Sequence, residues 1–334
     1  MTVTMKDVAK AAGVSVMTVS RVINNKEYIA AETREKVEAA LKNLNYKPNI
    51  NARTLVTKKT DFLGLIVPDI ANPFFSDLVK AAENIARNRG YSVILGDSGG
   101  DPAVEEEYIE AFRGRMCDAI ILIAPRVEDG VIRELNNTIP LVLVDRQIPD
   151  DDIIQVTVDN QYGALSAVEH LIGLGHRRIG FIMGPKNVPN AYLRREGYIE
   201  ALRRHDIPVD EELIVQGDFN RETGALAFEV FNSLSDRPTA VFGSNDLMAF
   251  GFIQKAKEAR YSIPGDFSVV GFDDIFLCAL MEPPLTTVRY PIVEMGVVAI
   301  QDILNSLESK ETARLKSKLK HTLIVRQSTA PLGT

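Results

Sequence analysis

The chain has 334 residues, 46% hydrophobic and 25% charged, with two cysteines and a net charge of -7. That is the composition of a soluble globular protein with room for two or three domains. It excludes a disulfide-stapled scaffold and, since no apolar stretch approaches the length of a bilayer span, a membrane-spanning chain.

The net charge hides a split. Residues 1–60 hold 11 Lys+Arg against 5 Asp+Glu, and the remainder holds 27 against 40. A basic head on an acidic body suits phosphate neutralisation at one end only. The first twenty residues carry Lys6, Asp7 and Lys10 and lack the continuous apolar core of a signal peptide, which predicts a cytoplasmic protein. Cys117 and Cys278 lie far apart in apolar contexts and read as reduced core residues.

In chain order the head comes first, TMKDVAKAAGVSVMTVSRVINNKEYIAAETREKVEAALKNLNYKPNINARTL over residues 4–55. Thr4 caps a first helix, with Asp7 in the acidic slot of a capping box. Gly13 permits a reversal without a Cβ clash, and Ser15 caps a second helix with Val19, Val22 and Ile23 on its core face. A third helix, roughly 32–44, carries Val37, Ala40, Leu41 and Leu44 on one stripe. This is how a helix-turn-helix reader of double-stranded DNA looks in sequence, and the start of its second helix enters the major groove. Arg21 is suited to a bidentate pair with guanine, and Val16 and Met17 to thymine methyls. Thr18, Ser20 and Asn24 suit phosphates. After the break at Tyr46-Lys47-Pro48, Asn49 caps a short helix over 50–56 that carries Ala52, Arg53 and Leu55. A helix this short is unstable alone, and an exposed leucine there suits a wedge between base steps from the minor groove.

From residue 60 short apolar runs alternate with helical patterns. Strands are predicted over 62–68, 92–96, 119–123 and 141–145, and then over 179–184, 212–216, 240–243 and 268–272. Two rounds of βα units imply two doubly wound parallel-sheet subdomains. A ligand belongs in the cleft at the carboxyl ends of the strands. Asp69, Phe74, Phe75, Asp145, Arg146, Arg194, Phe219, Asn245 and Asp273 occupy those ends. Carboxylates and Arg fix pairs of hydroxyls by charge-assisted hydrogen bonds, and phenylalanine stacks on an apolar sugar face. Asp246 and Asp69 also suit helix capping or mutual pairing.

The head and a run of body motifs carry a resemblance. The motifs are GLIVPDIANPFF at 64–75, VDR at 144–146, VTVDNQYGA at 156–164, GHRRIGFIMGP at 175–185, RREGY at 194–198, NDLMAFG at 245–251, VVGFDDI at 269–275 and PPLTTVRYP at 283–291. Together they resemble the lactose-repressor (LacI/GalR) family over nearly the whole chain. The resemblance implies an α/β protein: an all-α helix-turn-helix headpiece (1–48), a hinge (49–60), and a two-subdomain body like a periplasmic binding protein (61–334). The subdomains would be about 61–160 with 290–321, and about 161–289 with 322–334. It implies a homodimeric repressor on a pseudo-palindromic operator, controlled by a sugar or sugar-derived effector in the cleft. It places Thr4, Ser15, Tyr46, Asn49, Ala52 and Arg53 beside the groove-reading residues as DNA contacts. It makes Leu55 the minor-groove lever and Arg194 and Asp273 the foremost pocket residues. A protein corepressor acting on the same fold, as in carbon-catabolite control, is the alternative, and a solute-binding module is another.

Enzymatic readings find no support. GDSGGDP at 96–102 echoes a serine-protease nucleophile loop, but Asp101 intrudes and no histidine motif accompanies it. Histidines 170, 176, 205 and 321 lack metal-ligand spacing, so no metal or cofactor is expected. Glu105, Glu106 and Glu107 read as an acidic first helical turn favoured by the helix dipole.

Overall fold

A computed structural model describes residues 3–23, 29–46, 59–114, 117–308 and 316–333. The chain divides into two compact units, 1–60 and 61–334.

In the first unit α1 (Met5–Ala12), α2 (Val16–Ile23) and α3 (Ala31–Asn43) enclose a small core of Val8, Ala9, Val19, Val22, Val37 and Ala40. The capping box is present: the Thr4 hydroxyl donates to Asp7 Oδ2 at 2.7 Å and the Thr4 amide to the same atom at 2.9 Å. These two bonds hold the Asp7 carboxyl below its usual range. Gly13 ends α1 at φ 66°, a left-handed conformation that costs a glycine nothing. Ser15 Oγ then accepts from the Thr18 amide at 3.1 Å and starts α2.

The second unit contains two six-stranded sheets. The first runs β2-β1-β3-β4-β5-β11, all parallel, with β1 (Phe62–Val67), β2 (Ser92–Asp97), β3 (Ala119–Ile123), β4 (Leu141–Val144), β5 (Ile154–Val158) and β11 (Lys316–Leu319). The second runs β7-β6-β8-β9-β10-β12, with β6 (Ile179–Met183), β7 (Ile214–Gln216), β8 (Ala240–Gly243), β9 (Ser268–Asp273), β10 (Thr286–Arg289) and β12 (Thr322–Ile324). In that sheet only β12 is antiparallel to its neighbour. Runs such as FLGLIV, AIILI and LVLV are apolar on both faces because helices cover both sides of a parallel sheet. The helices are α4 (Pro73–Asn88), α5 (Pro102–Gly114), α6 (Asp129–Asn136), α7 (Asn160–Gly173), α8 (Pro189–Arg204), α9 (Arg221–Ser233), α10 (Asp246–Glu258) and α11 (Ile292–Glu308). The chain passes between the sheets after β5, after β10 and between β11 and β12, so three strands tie two lobes together.

Three strands, β5, β10 and β11, lie outside the predicted runs, and β12 falls in the C-terminal segment HTLIVRQSTAPLGT, which reads as ending soon after a strand. They are short and partly polar (IQVTV, TTVR, KSKL, TLI), and their pairing partners are distant in sequence. The predicted 212–216 strand is a 3-10 turn, Glu211–Leu213, followed by the three residues of β7.

Glu105 stands in the first turn of α5, as its position suggests, and has a second role there. It is buried, and its Oε2 accepts from the backbone N–H of Arg126 at 2.7 Å and of Val127 at 2.9 Å. Burial pushes its carboxyl up despite those bonds. In the GDSGGDP segment the buried Ser98 hydroxyl donates to the Val67 carbonyl at 3.2 Å and accepts from the Gly100 amide, a turn-building role. Cys117 and Cys278 are both buried free thiols. No described helix is long and apolar enough to cross a membrane.

Candidate effector cleft and DNA-reading helix

At the start of α2 the structure exposes two apolar side chains, Val16 (41%) and Met17 (65%). Arg21 is exposed one turn further on, and Ser20 is half-buried. Ser15 and Thr18 hold their hydroxyls 2.9 Å apart within the cap, and the Thr4 hydroxyl is engaged with Asp7. The exposed residues of α2 are therefore Val16 and Met17 at its start and Arg21 in its last turn. Tyr46 packs half-buried against the three-helix core, and its amide donates to the Leu41 carbonyl. Asn24, Asn49, Ala52, Arg53 and Leu55 lie outside the described residues.

In the second unit a cavity of about 520 Å³ opens at the carboxyl ends of the strands of both sheets. Asp69, Phe74, Phe75 and Asp145 reach it from the first lobe, and Arg194, Phe219, Asn245 and Asp273 from the second. Four of its lining residues that are not glycine have left-handed backbone: Ala124 (φ 45°), Asp145 (60°), Phe219 (72°) and Asp273 (122°). Such conformations cost energy and persist where surrounding structure enforces them, commonly at ligand sites.

Arg194 is the centre of the charge network. It projects from α8, is 4% exposed, and lies 3.8 Å from the Phe272 ring centroid, a cation–π contact. Its Nε donates to Asn160 Oδ1 at 2.9 Å and its Nη1 to the Ser244 carbonyl at 2.6 Å. Asp273 Oδ1 stands 3.7 Å from Nη1. The Tyr290 hydroxyl donates to Asp145 Oδ1, and Asn160 Nδ2 donates to the Tyr290 oxygen at 3.0 Å. Burial pushes the carboxyls of Asp145 and Asp273 up, against the pull of Arg194 on both. Burial and the adjacent Asp145 likewise push the Tyr290 hydroxyl up.

The aromatic wall is built around α4. Asn72 Oδ1 caps this helix by accepting from the Phe74 amide at 3.0 Å, and Pro73 supplies the fixed φ of its first turn. The Phe74 and Phe75 rings then meet edge to face at 5.0 Å. Asn245 lines the cavity but is also the cap of α10, accepting from the Met248 amide and donating to the Phe219 carbonyl, both at 2.9 Å. Asp69 accepts from the Ala71 amide two residues on. Asp246 is fully buried behind the site, accepting from the Thr287 hydroxyl at 2.6 Å and the Ile275 amide at 2.9 Å. Burial pushes its carboxyl up to about 7.

Arg146 is a correction. It is not among the residues lining the cavity. Its guanidinium turns back into its own lobe, donating to the carbonyls of Pro125 and Val127 and to Asp129. The backbone leaves β4 in a left-handed turn at Asp145, which sends the two neighbouring side chains to different environments. Residues that sequence reasoning missed include Asn190, whose Nδ2 crosses between the lobes to the Asp145 carbonyl at 2.7 Å, and Arg126, Asn72 and Asn220 in the cavity wall. The strand-end rule covers Arg126, three residues past β3. Nothing local marks Asn190.

Residues 4–49 match the family described as bacterial regulatory proteins, lacI family, and residues 168–329 match the periplasmic binding protein-like domain. The chain is 36% identical over 330 residues to the HTH-type transcriptional repressor CytR of Escherichia coli (strain K12), covering 98% of this chain and 97% of that one. Among solved structures, the lac repressor dimer bound to operator and the anti-inducer ONPF aligns with TM-score 0.88 at 29% identity, over 99% of this chain and 100% of that one. The transcriptional regulator CelR–cellobiose complex aligns with TM-score 0.74 at 30% identity, over 98% and 99%.

Proposed function

This chain belongs to the lacI family of bacterial regulatory proteins, and from that membership we propose that it is a cytoplasmic homodimeric repressor whose grip on a pseudo-palindromic operator is set by a sugar-derived effector in the cleft. The observation that carries the reading is the buried set of Arg194, Asp273 and Asp145 at the junction of two lobes. Charged groups at this depth are costly unless paired or awaiting a polar ligand. Phe74, Phe75 and Phe219 add apolar faces beside them. That mixture suits a compound with hydroxyl donors and an apolar ring face.

Self-association is supported by apolar side chains left on the surface, including Leu226 and Val230 one turn apart on α9. Two heads on one site supply the affinity a single head lacks. The cleft lies between lobes joined by three strands, so a ligand that touches both favours one inter-lobe angle over another. In a dimer that angle sets the spacing of the two heads. By linkage the effector then binds free and operator-bound repressor with different affinity. The 50–56 segment with Leu55 is the proposed hinge of that coupling.

The test is a thermal-shift screen of sugars, sugar phosphates and sugar acids, each hit then titrated into operator-bound protein by fluorescence anisotropy. A hit that raises the melting temperature and changes operator affinity is the expected result. Hits that leave operator affinity unchanged refute effector control. In the same assay Arg21→Ala should lose operator preference while remaining a folded dimer.

A further inference from the structure

Arg126 has the marks of a ligand-binding cation that the site's main network does not use. It lies in the loop after β3 and lines the same cavity as Arg194. Its loop is held from behind on both sides. Buried Glu105 accepts from the amides of Arg126 and Val127, and the Arg146 guanidinium donates to the carbonyls of Pro125 and Val127. The left-handed turn at Ala124 starts the loop. Two buried or half-buried charged side chains are thus committed to fixing the backbone from which Arg126 projects.

The guanidinium itself is held within Coulombic range of Glu105 but makes no direct ion pair among the described residues. Its Nη1 donates to the Gly100 carbonyl at 2.8 Å. A Cβ on Gly100 would lie 2.6 Å from the guanidinium carbon, so with glycine there the guanidinium rests directly against this turn. Among the described residues no carboxylate reaches it within the 4.0 Å of an ion pair. The Glu105 carboxylate nearby is already engaged by two amides. A guanidinium has five donors, and a planar fork of this kind matches a carboxylate or phosphate.

Elsewhere in the cavity the need is opposite. Asp273 is 8% exposed and its carboxylate accepts no hydrogen bond among the described residues. The cavity therefore offers a donor-rich group, Arg126, and an acceptor in want of donors, Asp273. We propose that the effector is a polyhydroxyl compound carrying one anionic group, a carboxylate or a phosphate, with Arg126 pairing with that group and Asp273 accepting from hydroxyls. This rests on the reading of the cleft as the effector site and names the chemical class that site selects. A volume of about 520 Å³ accommodates a ligand of this size.

The test compares matched pairs by calorimetry on the full chain: glucose with glucose 6-phosphate, ribose with ribose 5-phosphate, galactose with galacturonate, and inorganic phosphate alone. Wild type, Arg126→Gln and Arg126→Lys are measured side by side. In at least one pair the anionic member should bind wild type roughly tenfold to a hundredfold more tightly. That ratio should collapse in Arg126→Gln and survive in part in Arg126→Lys. A merely structural role for Arg126 would weaken both members of a pair together and leave the ratio intact, which overturns the proposal. Neutral sugars binding as tightly as their anionic partners overturn it alone and leave the effector site standing. Inorganic phosphate binding as tightly as the sugar phosphates also overturns it. If no compound of any pair binds wild type, the proposal falls together with the effector-site reading.

Discussion

Arg194 and Asp273 face each other across 3.7 Å inside the cleft without a hydrogen bond between them. The guanidinium nitrogen nearest Asp273 donates instead to the Ser244 carbonyl. One cation thus stands among the buried carboxylates of Asp145 and Asp273, with Asp246 behind them. The two partners should therefore respond oppositely to removal. Arg194→Ala leaves the carboxylates uncompensated and should destabilise the body by about 3–5 kcal/mol. Asp273→Asn relieves a charge that burial disfavours, and should leave stability at pH 8 unchanged or raised while weakening effector binding. Chemical denaturation of both variants, with calorimetry on Asp273→Asn, checks this. A strongly destabilised Asp273→Asn would contradict it.

The pH dependence of stability carries a second prediction. Asp246 is raised in the folded state from 3.8 to about 7. Its contribution is fully present below pH 3.8 and is lost as pH rises through 7. Buried His176 and half-buried His170 and His321 act in the other direction, since burial holds them low and folding must keep them neutral as pH falls. A bare melting curve mixes the two. The difference in melting temperature between wild type and Asp246→Asn isolates the acid, and it should favour wild type more at pH 5 than at pH 8. A difference that is flat in pH would show that Asp246 is ionised throughout.

Groove reading by Val16 and Met17 predicts sensitivity to single methyl groups. Replacing a contacted thymine by deoxyuridine in the operator should cost about 0.8 kcal/mol, roughly a fourfold rise in Kd. Met17→Ala should lose a similar amount and become indifferent to the same replacement, the coupling that a double-mutant cycle reads. If no thymine replacement changes the affinity of wild type, the two side chains do not read methyls.

The cap of α1 makes a local prediction. Thr4→Ala removes the hydroxyl that bonds Asp7 and should cost the headpiece about 1 kcal/mol. Amide exchange along α1 in the full chain should quicken about fivefold, with exchange in α7 and α10 unchanged. Unchanged exchange in α1 would show that the box contributes nothing there.

The helix-turn-helix was legible because its signals are local. Thr4 with Asp7, Gly13, and Ser15 with Thr18 act within a few residues of each other, and the helical periods of Val19, Val22 and Ile23 and of Val37, Ala40 and Leu41 need no partner to be recognised. The alternation of apolar runs and helical patterns was legible for the same reason, as were most cavity residues, since strand ends of a doubly wound sheet are where ligands bind. The partners of Glu105 and Arg146 were not legible because local position describes only where a side chain starts. Glu105 reaches amides 21 and 22 residues away, and Arg146 reaches carbonyls 19 and 21 residues away.

By itself, then, the sequence determined most of the elements, the two-lobed architecture and the partner class of the head, all of which follow from short-range periodicity, capping and charge. The tertiary structure decided which charged side chains face the cleft. Tyr290 bonds Asp145 from 145 residues away, and Asn190 holds the Asp145 carbonyl from 45. Those partners are set by the meeting of two sheets, and a buried charge takes its direction from whichever distant group can satisfy it. For that reason Arg126 and Arg146, both just past the end of a first-lobe strand, are separated only in the folded molecule: one lines the cavity and the other holds its loop in place.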